Sequence, residues 1–148
     1  MTPDTVFTII NAAILPFWVL LLFLPHHKVT QVLVHSGLVP VLFGLVYAYY
    51  MISGLILGGA EGGGMDSLQS LMIAFTDPGS VVAAWTHYLI FDLFVGAWLV
   101  RDAKREEILH LAIVIPLVLT LMAGPVGLLL YIALKGAMRR RFTLMEAS

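Results

Sequence analysis

Four apolar runs, each long enough to cross a bilayer as a helix, constrain this chain more than any other feature. About 30 Å of hydrocarbon takes roughly 20 apolar residues at about 1.5 Å each. The runs cover about 6–24, 32–57, 81–100 and 108–134. Only 11% of the residues are charged, against about a quarter in a soluble domain, and 60% are hydrophobic. So little charge cannot cover a water-facing surface, and lipid must take that place. The expected fold is all-α: a polytopic membrane protein, 1–148 forming a single transmembrane domain built as a four-helix bundle.

The same composition excludes several classes of function. The net charge is −1 and the few basic residues form no large patch, so nucleic acid is not an expected partner. The absence of cysteine removes disulfides, thiol catalysis and sulfur-ligated metals. Met1 to Thr5 carries Asp4 and no basic residue, and no small-x-small cleavage pattern precedes Pro25. The first run therefore reads as a retained helix and not as a secretory signal.

The connections carry the turn chemistry. Gly58 to Gly64 reads as a flexible linker, and no Gly-Lys-Ser/Thr follows to make it a phosphate loop. Asp66 is placed to cap a short helix whose Leu68, Leu71, Met72 and Phe75 recur at helical spacing. That helix is too short to span and is expected in the membrane interface. Asp77-Pro78-Gly79-Ser80 turns the chain into the third run. Pro16, Pro40, Pro116 and Pro125 fall within runs, and Gly124-Pro125-Val126-Gly127 marks the fourth as the one to bend or unwind.

Four crossings would place both termini on one side. The basic residues then tie: Lys28, Arg101, Lys104 and Arg105 face Lys135, Arg139, Arg140 and Arg141. The tail, basic until Glu146, favours cytoplasmic termini.

Asp92 is the most informative polar residue, because it stands about halfway along the third run. A charge there costs about 2.5–3.5 kcal/mol on insertion scales, so such residues face the bundle interior or a watery cavity. His87 precedes it by five residues, roughly 140° around a helix, so the two form no tight dyad. Tyr88 falls between them in angle. Antiparallel packing would bring His35, Asp102 and His110 to one depth and permit a His/Asp metal site. No HxxxH or Glu-x-x-His spacing supports one, so a hydrated polar cluster without metal is expected. Trp18, Trp85 and Trp98 lie near run ends, as an interfacial belt requires. Tyr47, Tyr49 and Tyr50 sit deep in the second run, available to hydrogen-bond a buried ligand.

The stretch Ala84-Trp85-Thr86-His87-Tyr88-Leu89-Ile90-Phe91-Asp92-Leu93-Phe94-Val95-Gly96-Ala97-Trp98, closing at Arg101-Asp102, resembles the abscisic-acid-deficient-four (neoxanthin synthase-like) membrane proteins. Gly124-Pro125-Val126-Gly127-Leu128-Leu129-Leu130-Tyr131 and the Thr76-Asp77-Pro78-Gly79 turn fit the same pattern. The resemblance implies a role around carotenoids, since plant members are required for making neoxanthin from violaxanthin. That conversion needs an acid to protonate an epoxide oxygen and a base to take a proton from the polyene. The motif's polar positions are His87, Asp92 and Asp102, which become the implied catalytic residues. Trp85, Tyr88, Tyr47, His35 and His110 are the expected ligand-binding residues. The short N-terminus, with no transit peptide, implies a bacterial member in the plasma membrane, where violaxanthin is not the expected substrate.

The resulting expectation is a carotenoid- or isoprenoid-acting membrane protein, a cofactor-independent isomerase. The alternative is a non-catalytic carotenoid-binding or assembly subunit of a pigment–membrane complex. Membrane lipid and a hydrophobic ligand are the expected partners, together with self-association or a pigment-pathway protein.

Overall fold

The computed structural model describes residues 1–140 and 142–144. Arg141 of the basic tail and Glu146 lie outside the described residues. The fold is all-helical, 78% helix, with no strand among the described residues. The described residues form seven helices in order: α1 Pro3–Phe23, α2 Lys28–Leu33, α3 Leu38–Leu57, α4 Leu68–Ala74, α5 Pro78–Arg105, α6 His110–Ala123 and α7 Pro125–Arg139.

Local chemistry sets these boundaries. His27 starts α2 by accepting the Val29 N–H on its ring nitrogen at 3.2 Å. Gly37 separates α2 from α3 with a φ of 80°, a left-handed conformation that glycine adopts without steric cost. Pro40 is the third residue of α3, where backbone N–H groups lack intrahelical partners, so it causes no interior kink. Ser67, and not Asp66, caps α4 by accepting the Ser70 N–H at 3.1 Å. Asp77 caps α5: its carboxylate accepts the Ser80 N–H at 2.7 Å, with Pro78 opening the helix. The glycine-rich connection is not a loose linker. The Gly63 N–H bonds the Ala60 carbonyl at 2.8 Å, and the Gly64 N–H bonds the Ser70 carbonyl of α4 at 3.0 Å.

Among the described residues, three apolar helical stretches are long enough to cross a membrane: Pro3–Phe23, Lys28–Leu57 taken through its break at Gly37, and Pro78–Arg105. The fourth run differs from a single crossing. It breaks at Gly124 into α6, of 14 residues, and α7, of 15. At about 1.5 Å per residue each is roughly 21–23 Å long, short of the hydrocarbon thickness. The two fold back on each other. Near the break, Gly127 lies so close to Thr120 and the Pro116 carbonyl that a β-carbon would collide with both. At the far end, Arg139 of α7 donates to the Glu107 carbonyl just before α6. Proline removes an N–H and clashes with the preceding turn, so Gly124-Pro125 ends one helix and starts another.

Contacts divide the chain into two compact units. One comprises Met1–Pro16 and Gly37–Ile90, the other Phe17–Ser36 and the chain from Phe91 onward. The first buries Ile10, Ile14, Val39, Phe43, Val82, Ala83 and Leu89. The second buries Trp18, Leu21, Leu93, Leu99, Val100, Ile113, Leu117 and Tyr131. Trp18, expected in an interfacial belt, is only 2% exposed. Its ring lies over Gly96, where a β-carbon would come within 2.7 Å of it, so glycine here makes room for an indole.

Candidate functional site

The first unit holds an open, mostly apolar cavity of about 460 Å³, a size at which small-molecule sites begin to bury a ligand. Tyr47, Tyr50 and Met51 of α3 line it with Ala84 and His87 of α5. Gly63 and Gly64 close part of its wall. A β-carbon on Gly63 would meet the Ala74 backbone at 2.9 Å, so the segment can lie against α4 only without side chains. The Tyr47 ring stands 5.9 Å from the His87 imidazole at 44°. A hydroxyl-bearing aromatic and an imidazole on one apolar cavity wall can orient the oxygenated end of a greasy ligand and exchange a proton with it.

Trp85 and Tyr88 form a separate aromatic wall on α5. Their rings stack at 5.2 Å and 21°, and Phe7 of α1 stands 5.8 Å from Trp85. Asn11 of α1 accepts the indole N–H at 3.0 Å and fixes the Trp85 ring, while its own amide donates to the Phe7 carbonyl at 2.7 Å. Trp85 remains 37% exposed, an apolar face with a satisfied polar edge.

Asp92 belongs to the second unit and is 8% exposed. Its carboxyl fills the space that a β-carbon on Gly124 would need. It thus lies at the break itself, where Gly124 both ends α6 and starts α7. The buried acid and the helix break are one feature.

Asp102 is fully buried. Tyr131 donates to it at 2.6 Å, Lys135 at 2.8 Å and Arg105 at 2.5 Å. Lys135, itself 1% exposed, also pairs with Glu106 at 3.3 Å and donates to the Thr143 carbonyl at 3.0 Å. Trp98 packs edge-on against Tyr131 at 5.6 Å. A buried carboxylate is tolerable when its oxygens are this fully engaged, because removing a partner would leave an uncompensated charge. The sequence offers neither Tyr131 nor Lys135 as a site residue: Tyr131 closes the Gly124–Tyr131 stretch of the resemblance, and Lys135 counts only as a flanking charge. Their four-residue spacing, which puts both on one helix face, was the available signal.

His35, Asp102 and His110 do not assemble as a metal site. His35 accepts from Arg101 on Nδ1 at 3.0 Å. His110 donates from Nε2 to the Leu22 carbonyl at 2.8 Å, and its ring meets that of His26 edge-on at 6.5 Å. Each is engaged with a different partner, and no group of three His, Asp or Glu among the described residues is arranged to hold a metal ion. His26 has its pKa held below the ordinary histidine value by partial desolvation and by the nearby Lys104 and His110.

Comparison with known proteins adds the family. No solved structure matches the chain. The curated protein "Protein ABA DEFICIENT 4, chloroplastic" of Arabidopsis thaliana is 23% identical over 117 residues, which is 71% of this chain and 50% of the relative. The chain thus spans about half the length of the curated relative it matches. The ABA DEFICIENT 4-like family model matches residues 5–131, which takes in His87, the Asp92–Gly124 contact and the Asp102–Tyr131 bond. Over that length, the chain belongs to the ABA DEFICIENT 4-like family.

Proposed function

We propose that this protein handles a long isoprenoid of the carotenoid class, whose oxygenated ring end enters the Tyr47–His87 cavity while the polyene extends into lipid. The carrying observation is that cavity: apolar over most of its lining, with His87, Ser80 and the tyrosines as its polar points. Family membership and the chloroplast relative support the ligand class. The reaction we favour is a cofactor-independent isomerisation. A proton reaches the oxygen of a strained ring ether and a C–O bond breaks. A proton then leaves the adjacent polyene carbon, and the double bonds rearrange. One proton enters and one leaves, so neither composition nor redox state changes.

His87 is the proposed proton carrier in the cavity, and Asp92 is a second candidate. Asp102, held by Lys135, Arg105 and Tyr131, suits a positioning role better than proton transfer. One observation favours the non-catalytic binding reading instead. Asp92 packs at a helix start and Asp102 in an ion cluster, so both buried acids have structural duties.

The test is production in a carotenoid-accumulating host, followed by mass spectrometry of pigment in purified protein and in cells. Conversion by wild type, lost in His87→Gln with pigment still bound, supports catalysis, since general acid–base groups contribute roughly 10²–10⁴-fold. Asp92→Asn is the parallel variant: full turnover there removes Asp92 from the chemistry. Bound pigment with no conversion even by wild type would favour the binding subunit. Absence of any co-purifying isoprenoid would sink both readings.

A further inference from the structure

The charges of this chain are segregated along its helices. Asp4 opens α1, Glu61 and Asp66 lie in the connection after α3, and Asp77 caps α5. No lysine or arginine accompanies them. All eight basic residues fall at 28, 101, 104, 105, 135, 139, 140 and 141, seven of them described. Four single crossings would split the eight evenly between two faces and leave the orientation undecided.

The α6–α7 pair changes that count. Lys135 reaches Asp102 at 2.8 Å, so the end of α7 stands beside the end of α5 and not a membrane thickness away. Arg139 reaches the Glu107 carbonyl, and His110 at the start of α6 bonds the Leu22 carbonyl near the end of α1. Lys28 follows a few residues after α1, held by the hydrogen bond from Thr30 to the Leu24 carbonyl at 2.5 Å. The described lysines and arginines therefore gather where α1 and α5 end, α6 begins and α7 finishes. The tip of the pair sits elsewhere. Gly124 lies against Asp92, ten residues or about 15 Å back along α5, which is mid-membrane depth. Broken helix at that depth survives only against protein, and Gly124 is buried.

We propose that α6 and α7 form a re-entrant hairpin that enters and leaves by one membrane face, and that this positive face is the surface on which the protein meets the anionic cytoplasmic leaflet. The hairpin makes the surface by returning Lys135, Arg139 and Arg140 to the side of Lys28 and Arg101–Arg105. Lys28, Lys104, Arg105, Arg139 and Arg140 are exposed there, against Glu106 and Glu107 and the buried Asp102. Exposed Lys and Arg are attracted to an anionic surface, and a one-sided distribution of basic residues sets orientation. With three crossings the N-terminus lies on the far side.

Because the chain has no cysteine, single-cysteine labelling tests this directly. Asp4→Cys, Glu61→Cys, Lys104→Cys and Met138→Cys are treated with a membrane-impermeant maleimide in intact bacterial cells. Residues 4 and 61 should label in intact cells, and 104 and 138 only after the cells are opened. Met138→Cys labelling together with Asp4→Cys would overturn the hairpin. Lys104→Cys and Met138→Cys both labelling from outside would overturn the orientation. A C-terminal green fluorescent fusion, bright only in the cytoplasm, reads the same point in the unsubstituted chain. For the leaflet, wild-type protein is reconstituted in phosphatidylglycerol and in phosphatidylcholine. A higher melting temperature in phosphatidylglycerol that disappears at 1 M salt, where the Debye length falls to about 3 Å, is expected. Equal melting temperatures at low salt would overturn the lipid contact.

Discussion

In the unit of Met1–Pro16 and Gly37–Ile90, polar side chains stand at the edge of open space: His87 and Tyr47 on a cavity wall, Trp85 half-open beside Asn11. In the unit of Phe17–Ser36 and Phe91 onward, the polar side chains between the helices are sealed, while charges at the helix ends stay exposed. Asp102, Lys135 and Thr120 are each no more than 1% exposed, and Gly96, Gly124 and Gly127 admit contacts that any side chain would block. The two halves of α5 thus do different work, and the charged residues of the helix, Asp92, Arg101, Asp102, Lys104 and Arg105, all lie in its second half. A helix stretch facing a cavity can change residues without unfolding anything. One carrying a buried carboxylate against two cations cannot. Chemistry is to be sought where polar groups border the cavity of the first unit, and architecture in the buried polar contacts of the second.

The largest expected effect tests the sealed unit. Lys135→Met should destabilise the protein by about 3 kcal/mol, because it removes the buried cation from Asp102 and leaves it only the half-exposed Arg105 and the Tyr131 hydroxyl. Tyr131→Phe, which removes one donor and leaves Lys135 in place, should cost about 1–3 kcal/mol. Tyr47→Phe in the open unit should change stability by less than about 0.5 kcal/mol. Thermal or denaturant unfolding in a mild detergent measures all three. Equal losses from Lys135→Met and Tyr47→Phe would erase the contrast between the units. The double variant Asp102→Asn/Lys135→Met sharpens it. Recovery of most of the loss identifies the stranded charge as the cause, and no recovery points to lost packing.

Overpacking comes next. Gly124→Ala drives a methyl into the Asp92 carboxyl, and Gly96→Ala drives one into the Trp18 ring. Each should cost about 1–3 kcal/mol in the same unfolding assay. Asp92→Ala should relieve the first and leave the second unchanged. If Asp92→Ala fails to relieve Gly124→Ala, the carboxyl is not what fixes the hairpin tip. Gly54→Ala in the open unit meets no atom within 4 Å and should be close to neutral.

The smallest effect is a pH dependence at His26. Its folded pKa lies below the ordinary value of 6.5, so the unfolded chain takes up the proton first as pH falls. The folded state is therefore penalised as pH drops below 6.5, and nothing is lost above it. Because His26 is exposed, the loss is small. Imidazole NMR should give a His26 midpoint under 6.5 that rises in Lys104→Gln. A midpoint at or above 6.5 would contradict the local electrostatics of this end.

What the residues alone determined was the solvent. Four apolar runs with so little charge require lipid and require helices, and the break at Gly124-Pro125 was legible because proline cannot continue a hydrogen-bonded ladder. The family was legible as well, from the Trp85–Trp98 stretch and the Gly124–Tyr131 stretch. What those stretches do for each other was not. That Asp92 fills the space over Gly124 and that Tyr131 and Lys135 close on Asp102 are contacts between positions about 30 residues apart. A one-dimensional pattern carries no such distances. Trp18 misled for the same reason: its place near a run end suggested an interface, and only the groove at Gly96 made it core. Hydropathy fixes which segments leave water, because transfer energy is a property of each segment. Whether a broken segment crosses or returns depends on which buried charge finds its counter-charge, and only tertiary structure decides that.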